Sequence, residues 1–157
     1  MKAAFALAVA LFALLSGAAL AEPDDHMIVP GDRVGPVVLG MYENEVIEQW
    51  GRPEEINPDK NGESHYRYRS RGVVVLLSTD TPPIVSLIVA VDKSYATDKG
   101  IRVGNTPSEV AKAYGKQDDE RGETDRTYLM IYMNLGIVFR IENASDRVEA
   151  ILILRFE

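Results

Sequence analysis

The chain has 157 residues, no cysteine and a formal net charge of −7. The absence of cysteine excludes disulfide bonds, thiol catalysis and a cysteine-linked lipid anchor. An acidic chain also lacks the basic surface that neutralises phosphates, so nucleic acids and anionic lipid surfaces are poor candidate partners. With 46% apolar residues, the protein can build a core without covalent cross-links.

The first 21 residues have the layout of a secretory signal peptide. Lys2 supplies the positive start, residues 3–15 are apolar, and the segment ends in the small-residue pattern Ala19-Leu20-Ala21. The apolar run is shorter than the roughly 20 residues that span a membrane. We therefore expect cleavage after Ala21 and a periplasmic or secreted mature protein without a membrane anchor. Because the removed segment carries one lysine and no acid, the mature net charge becomes −8.

The mature part contains an internal similarity at an offset of 64 residues. Residues 39–90 align with residues 103–154 without gaps, and apolar positions match along most of the alignment. The identical pairs are Gly40 with Gly104, Glu45 with Glu109, Val46 with Val110, Gly51 with Gly115, Tyr68 with Tyr132, Gly72 with Gly136, and Val74 with Val138. The similarity predicts a tandem repeat of one small module.

Each copy begins with a short predicted helix. In the second copy, Thr106, Pro107 and Glu109 form a helix start signal, because threonine caps, proline suits the first helical position and glutamate completes a capping box. Gly51 and Gly115 occupy the positions where helices commonly end. Polar loops are then predicted over 52–63 and 116–126.

Three strands follow in each copy, over about 64–69, 72–78 and 84–91 and then over 127–133, 136–142 and 147–155. The sequence thus predicts an α+β protein made of two tandem modules, each a helix plus an antiparallel three-stranded sheet. The modules are expected to form one curved sheet with the helices on one face. The predicted boundaries are a signal peptide at 1–21, a flexible mature N-terminus at 22–36, a first repeat at 37–91, a linker at 92–100 and a second repeat at 101–157.

Alternation along the strands predicts which sheet face is the core. Val73, Val75 and Leu77 align with Ile137, Phe139 and Ile141, so this face is expected to be buried. Tyr66 and Tyr68 are expected to join the same core, with their hydroxyls at its edge. The opposite face carries His65, Arg67 and Arg69 in the first copy but Leu129, Ile131 and Met133 in the second. The last strands are apolar on both faces, which favours a cover over the second face. Either the two copies pack against each other there, or a partner or second copy of the chain binds.

Residue patterns that carry catalysis or bind metals are missing from the sequence. His26 lies beside two aspartates near the mature N-terminus, and His65 opens a strand, but neither has further ligands at a typical spacing. The paired acids Glu54-Glu55 and Asp118-Asp119 follow the helices in predicted loops, where solvated carboxylates are expected. We therefore predict no catalytic, cofactor or metal site, and a protein that is not an enzyme.

A family resemblance rests on the segment from Leu39 to Pro53. Its pattern, Gly40-Met41, then Glu45-Val46, then Gly51 and Pro53, resembles the signature of a superfamily that includes the β-lactamase inhibitory proteins and the BamE/SmpA outer-membrane assembly lipoproteins. The second copy matches at Gly104, Glu109, Val110 and Gly115 but lacks the methionine and the proline. The tandem arrangement resembles the inhibitory proteins, which implies paired helix-plus-sheet units that grip a protein target. The cysteines expected in both groups are absent here.

These observations favour an exported module that binds another exported or envelope protein non-covalently through a sheet face. The alternatives are a binder of a small ligand or envelope polymer in a cavity between the repeats, and an uncharacterised hydrolase. The arginines and tyrosines of the first predicted strand can equally form a solvated strip. The candidate partner-binding residues are Tyr66, Arg67, Tyr68, Arg69, Arg71, Leu129, Ile131 and Met133.

Overall fold

A computed structural model describes residues 25–156, and the predicted signal peptide with its cleavage site lies outside this range. The described chain contains twelve strands, two α-helices and one 3₁₀ turn. The strands are β1 Met27–Val29, β2 Arg33–Val34, β3 Val37–Val38, β4 Glu55–Pro58, β5 Ser64–Tyr68, β6 Val73–Leu77, β7 Val85–Ala90, β8 Ala96–Thr97, β9 Asp119–Gly122, β10 Thr127–Tyr132, β11 Ile137–Glu142 and β12 Arg147–Leu154; the helices are α1 Glu43–Trp50 and α2 Pro107–Tyr114, and the turn is Met133–Leu135.

The larger sheet has eight strands in the order β4-β5-β6-β7-β12-β11-β10-β9. Every neighbouring pair in it is antiparallel. At its centre, β7 pairs with β12, and residues 87–90 lie opposite residues 151–154. The two halves of the chain are therefore joined edge to edge by backbone hydrogen bonds.

A second sheet has four short strands in the order β3-β2-β1-β8. Its residues Ile28, Val34 and Val37 belong to the same buried cluster as one face of the larger sheet, so the small sheet lies over that face. Where the two sheets meet, the Gly31 backbone N–H donates to the Gly136 carbonyl at 3.1 Å.

The predicted fold class is wrong. The chain is mainly β, with two sheets of four and eight strands, and the described residues do not form two helix-plus-three-strand modules on a curved sheet. Part of the stretch predicted as a flexible N-terminus, 22–36, forms β1 and β2, and β8 lies in the predicted linker. The small sheet escaped prediction because its strands have two or three residues, too few to show a period.

The two predicted polar loops hide the outermost strands of the large sheet. β4 contains Asn57 and Pro58, and β9 contains Asp119, Glu120 and Arg121, all residue types that favour loops. Such residues are tolerated at sheet edges, since one side of an edge strand needs no ladder hydrogen bond and charge discourages edge-to-edge aggregation. The edge strands thus have the composition of turns for a physical reason.

Both helices pack on the same face of the large sheet. Val46 and Trp50 of α1 and Val110 of α2 join the sheet residues in one buried cluster. Each helix ends at a glycine, as predicted, and a buried tyrosine fixes that end: Tyr68 Oη donates to the Gly51 carbonyl at 3.1 Å, and Tyr132 Oη to the Gly115 carbonyl at 2.9 Å. The predicted capping box of α2 is confirmed, because Thr106 Oγ1 accepts from the Glu109 backbone and Glu109 accepts from the Thr106 N–H.

Candidate functional site

The two faces of the large sheet differ sharply in burial. The face under the helices contains Val73, Val75 and Leu77, all at most 2% exposed, which confirms them as core. Its equivalents in the other half, Ile137, Phe139 and Ile141, are fully buried. The opposite face contributes nothing to this core cluster and consists largely of half-buried aliphatic side chains. We call this second face the open face.

Strand register shows how the open face is built. Residues that lie opposite each other in neighbouring strands point to the same side of the sheet, so one row can be followed across all eight strands. That row consists of Glu55, Arg67, Val74, Val89, Leu152, Val138, Ile131 and Asp119. Its six inner strands thus carry one arginine and five aliphatic side chains, and its two ends are carboxylates.

Adjacent rows extend the aliphatic area. Leu76, Leu87 and Leu154 lie opposite one another in the next row, and His65 continues that row on β5. On the other side, Ala150 lies opposite Arg140, which in turn lies opposite Leu129. The centre of the open face therefore has no polar side chain that needs a hydrogen-bond partner.

The β9–β11 side of the open face is charged but internally paired. Arg140 Nε is buried and lies 2.7 Å from a carboxylate oxygen of Glu149 and 3.9 Å from one of Glu123, close enough for ion pairs but without hydrogen-bond geometry. Arg121 Nε lies 2.5 Å from a carboxylate oxygen of Asp119. The Arg121 hydrogen bond, together with the Glu120 backbone N–H, lowers the pKa of Asp119. This flank is therefore close to electrostatic balance.

The β4–β5 side carries the predicted basic residues. Arg69 forms an ion pair with Glu55, whose carboxylate also accepts from the Asn57 amide at 2.7 Å. The hydrogen bond from Asn57, followed in size of effect by that from Arg69, lowers the pKa of Glu55. Arg67 is exposed and faces the open side of the sheet.

The structure divides the eight predicted binding residues among three places. Arg67, Leu129 and Ile131 lie on the open face. Tyr66 and Tyr68 are buried in the core, and desolvation raises the pKa of each to about 12. The remaining three lie at the sheet ends: Arg69 beside Glu55, Arg71 over the Trp50 ring at 5.4 Å, and Met133 in the 3₁₀ turn.

The aliphatic centre of the open face was missed. It consists of six half-buried residues, Val74, Leu76, Leu87, Val89, Leu152 and Leu154, and borders on the buried Val138. The signal was present in the uninterrupted apolar runs 73–77, 87–90 and 150–154, since a sheet covered on one side should alternate. Those runs showed that both faces were apolar but not which residues were uncovered.

Within residues 25–156, no group of three or more His, Cys, Asp or Glu side chains is arranged to hold a metal ion. In the same range, no helix is long and apolar enough to cross a membrane.

No family model and no curated protein matches the chain. Solved structures share its fold at low sequence identity. An extracellular protein containing a SCP domain from Bacillus anthracis has a TM-score of 0.54 at 12% identity, covering 74% of this chain and 44% of that one. The DUF4309 family protein YjgB from Bacillus subtilis has a TM-score of 0.53 at 15% identity, covering 73% and 78%. The uncharacterized protein yfeY from Escherichia coli has a TM-score of 0.54 at 15% identity, covering 81% and 99%.

The chain therefore spans less than half the length of the SCP-domain protein. At these identities the similarity shows the fold alone. The resemblance to the β-lactamase inhibitory proteins and to BamE/SmpA stays a prediction, since the structures above carry other names.

Proposed function

We propose that the protein is exported and binds another exported or envelope protein non-covalently through the open face. The observation that carries this proposal is the continuous area of half-buried aliphatic side chains on β6, β7 and β12, on the side away from the helices. Buried aliphatic residues of β11 and β10 continue the same row. On monomeric soluble proteins the largest contiguous apolar patch measures a few hundred Å² and is often a binding site. The signal-peptide pattern at 1–21 supports export.

Binding is favoured over catalysis because the open face has the composition of an interface and not of an active site. Its centre is aliphatic and its charged groups lie at the rim, as in the core and rim of protein interfaces. An active site combines a concave pocket with polar groups that converge on it. A binder of a small ligand between the two halves has less support, because β7 and β12 pair directly where the halves meet.

The test is capture of partners from native envelope extract by the purified mature protein and two variants. Val89→Glu places a charge at the centre of the open face, whereas Ser108→Glu adds the same charge on exposed α2. Burying an unpaired carboxylate opposes association strongly, so V89E is expected to lose a specifically bound protein that S108E retains. Equal capture by both variants would rule out the open face as the binding surface. Circular dichroism and urea unfolding verify that both variants are folded.

A further inference from the structure

His65 and Arg67 lie next to each other on the same face, at one border of the aliphatic area. They are two residues apart on β5, so both side chains lie on the open face. In the register of the sheet, His65 lies opposite Leu76 and Arg67 lies opposite Val74. A surface that covers the aliphatic centre therefore meets the exposed Arg67 side chain at its edge.

Arg67 differs from its neighbours in having its donors unused. Among residues 25–156 its side chain forms no hydrogen bond or ion pair, whereas the Arg69 side chain is paired with Glu55. The positive charge of Arg67 contributes to lowering the pKa of Glu55, but the side-chain hydrogen bonds of Glu55 are made with Asn57 and Arg69. Five guanidinium donors thus remain available for a ligand.

His65 lies beside Arg67 but is less accessible. Its Nε2 atom is shielded from solvent by the protein and has no hydrogen-bond partner among the described residues. The exposed guanidinium of Arg67 is therefore the group that a partner can reach, and its positive charge favours an anionic group.

The size of the aliphatic centre requires contacts at its edges. Six half-buried residues on three strands about 4.8 Å apart, with same-face residues about 6.8 Å apart along each strand, give on the order of 200 Å² of projected area. A standard interface buries about 800 Å² on each partner. A stable complex must therefore extend onto the charged flanks. Of these, the β9–β11 flank already has ion-paired arginines, whereas the exposed Arg67 side chain on the other flank is unpaired among the described residues.

Charge also argues against a second copy of the chain as the occupant. Consider two open faces packed together about a twofold axis that runs parallel to the strands through the β7–β12 contact. This axis places Glu55 of one copy over Asp119 of the other. An axis along the row instead places Arg67 over Arg67. Like charges face each other in both arrangements, which disfavours association.

We infer that the partner's docking surface is apolar in its centre and bears an Asp or Glu side chain that binds Arg67. A guanidinium pairs well with a carboxylate, and charge-assisted hydrogen bonds are among the strongest in interfaces. This inference rests on the proposed function, since it specifies the chemistry of a partner protein at the same face.

The test uses the photo-cross-linking amino acid p-benzoylphenylalanine at Leu87, introduced into the full chain in its native host. Leu87 lies next to Leu76 in the row that leads to His65. Cross-linked peptides are identified by mass spectrometry. The cross-linking yield is compared in Arg67→Glu, in Arg67→Gln and in a matched charge reversal, Arg126→Glu, on an exposed turn residue away from β5.

The expected product joins Leu87 to a segment of another exported protein that contains an Asp or Glu. R67E is expected to lower the yield at least about tenfold and R67Q somewhat less, while R126E leaves it within about twofold. Changing the identified acid of the partner to lysine should restore binding to R67E.

Every other outcome contradicts either the proposed function or a specific part of the inference. No cross-linked protein, or a lipid product, contradicts the proposed function as well as the inference. A cross-link to a second copy of the chain overturns the hetero-partner. A partner segment without an acid, or a yield that R67E leaves unchanged, contradicts only the inference that a partner carboxylate binds here. Binding through the open face would still be supported.

Discussion

Val89 and Leu152 lie directly opposite each other where β7 meets β12, and both face away from the helices. One residue along each strand, Ile88 lies opposite Ile153 on the other face, where both side chains are completely buried. The middle of the sheet therefore carries aliphatic pairs on both sides, of which one pair is packed in the core. This pair-by-pair contrast separates residues needed for folding from residues available for binding.

The first prediction compares Ile153→Ala with Leu152→Ala. Ile153 is fully buried, so its truncation should lower the free energy of unfolding by about 2–5 kcal/mol. Leu152 is packed on fewer sides, so its loss should be on the order of 1 kcal/mol. Urea unfolding monitored by circular dichroism measures both. Equal losses would mean that the open face is covered in the folded chain.

The second prediction concerns the contact between the two sheets. Gly136 has a φ of +68°, and a Cβ there would lie 2.5 Å from Gly31 Cα and 2.5 Å from the Leu154 carbonyl oxygen. Gly100 also has a positive φ, +79°, but open space around it. Gly100→Ala should therefore cost only the backbone strain, about 1–2 kcal/mol. Gly136→Ala should cost a further 1–3 kcal/mol, roughly, because backbone atoms must move.

Thermal unfolding of the two alanine variants gives this comparison. A G136A protein as stable as G100A would show that the small sheet is not held against the β10–β11 turn.

The third prediction concerns stability in acid. The Ser70 hydroxyl and backbone N–H groups hydrogen-bond the Glu54 carboxylate and lower its pKa from the usual 4.5 to about 2. A depressed folded-state pKa means that the ionised group stabilises the fold above pH 4.5, and that this contribution is lost as the pH falls towards 2. The difference in unfolding free energy between the wild type and Glu54→Gln should therefore be largest above pH 4.5 and should become small near pH 2.

Urea unfolding of both proteins between pH 2 and 6 measures this difference. A gap that does not change with pH would show that Glu54 titrates normally.

Which parts of the fold could be predicted from the sequence depends on how far apart in the chain the contacting residues lie. The helix start at Thr106 and the helix ends at Gly51 and Gly115 are local and were predicted. The long strands and the core residues Val75 and Phe139 followed from alternation. The small sheet joins β1 to β8, which are distant in sequence and two or three residues long, so no local pattern could show it.

The candidate site was predicted only in part for a similar reason. Arg67 and Ile131 were placed on the correct side of their strands by alternation, and they prove to lie in one row of the sheet. That row exists because β7 pairs with β12, which are far apart in the sequence. The pattern of residues within a single strand does not predict which strand it pairs with. Alternation also placed Tyr66 and Tyr68 in the core, which their burial confirms, so naming them as binding residues as well was wrong.

The most direct test of the central claim is methyl NMR of the isotope-labelled mature protein during titration with its cross-linked partner, expressed separately. The account predicts that chemical-shift changes and line broadening concentrate at the open-face methyls of Val74, Leu87, Val89 and Leu152, while those of the core residues Val46, Ile88 and Ile153 change little. Changes that centre on the methyls of the helix-covered side instead would contradict binding through the open face.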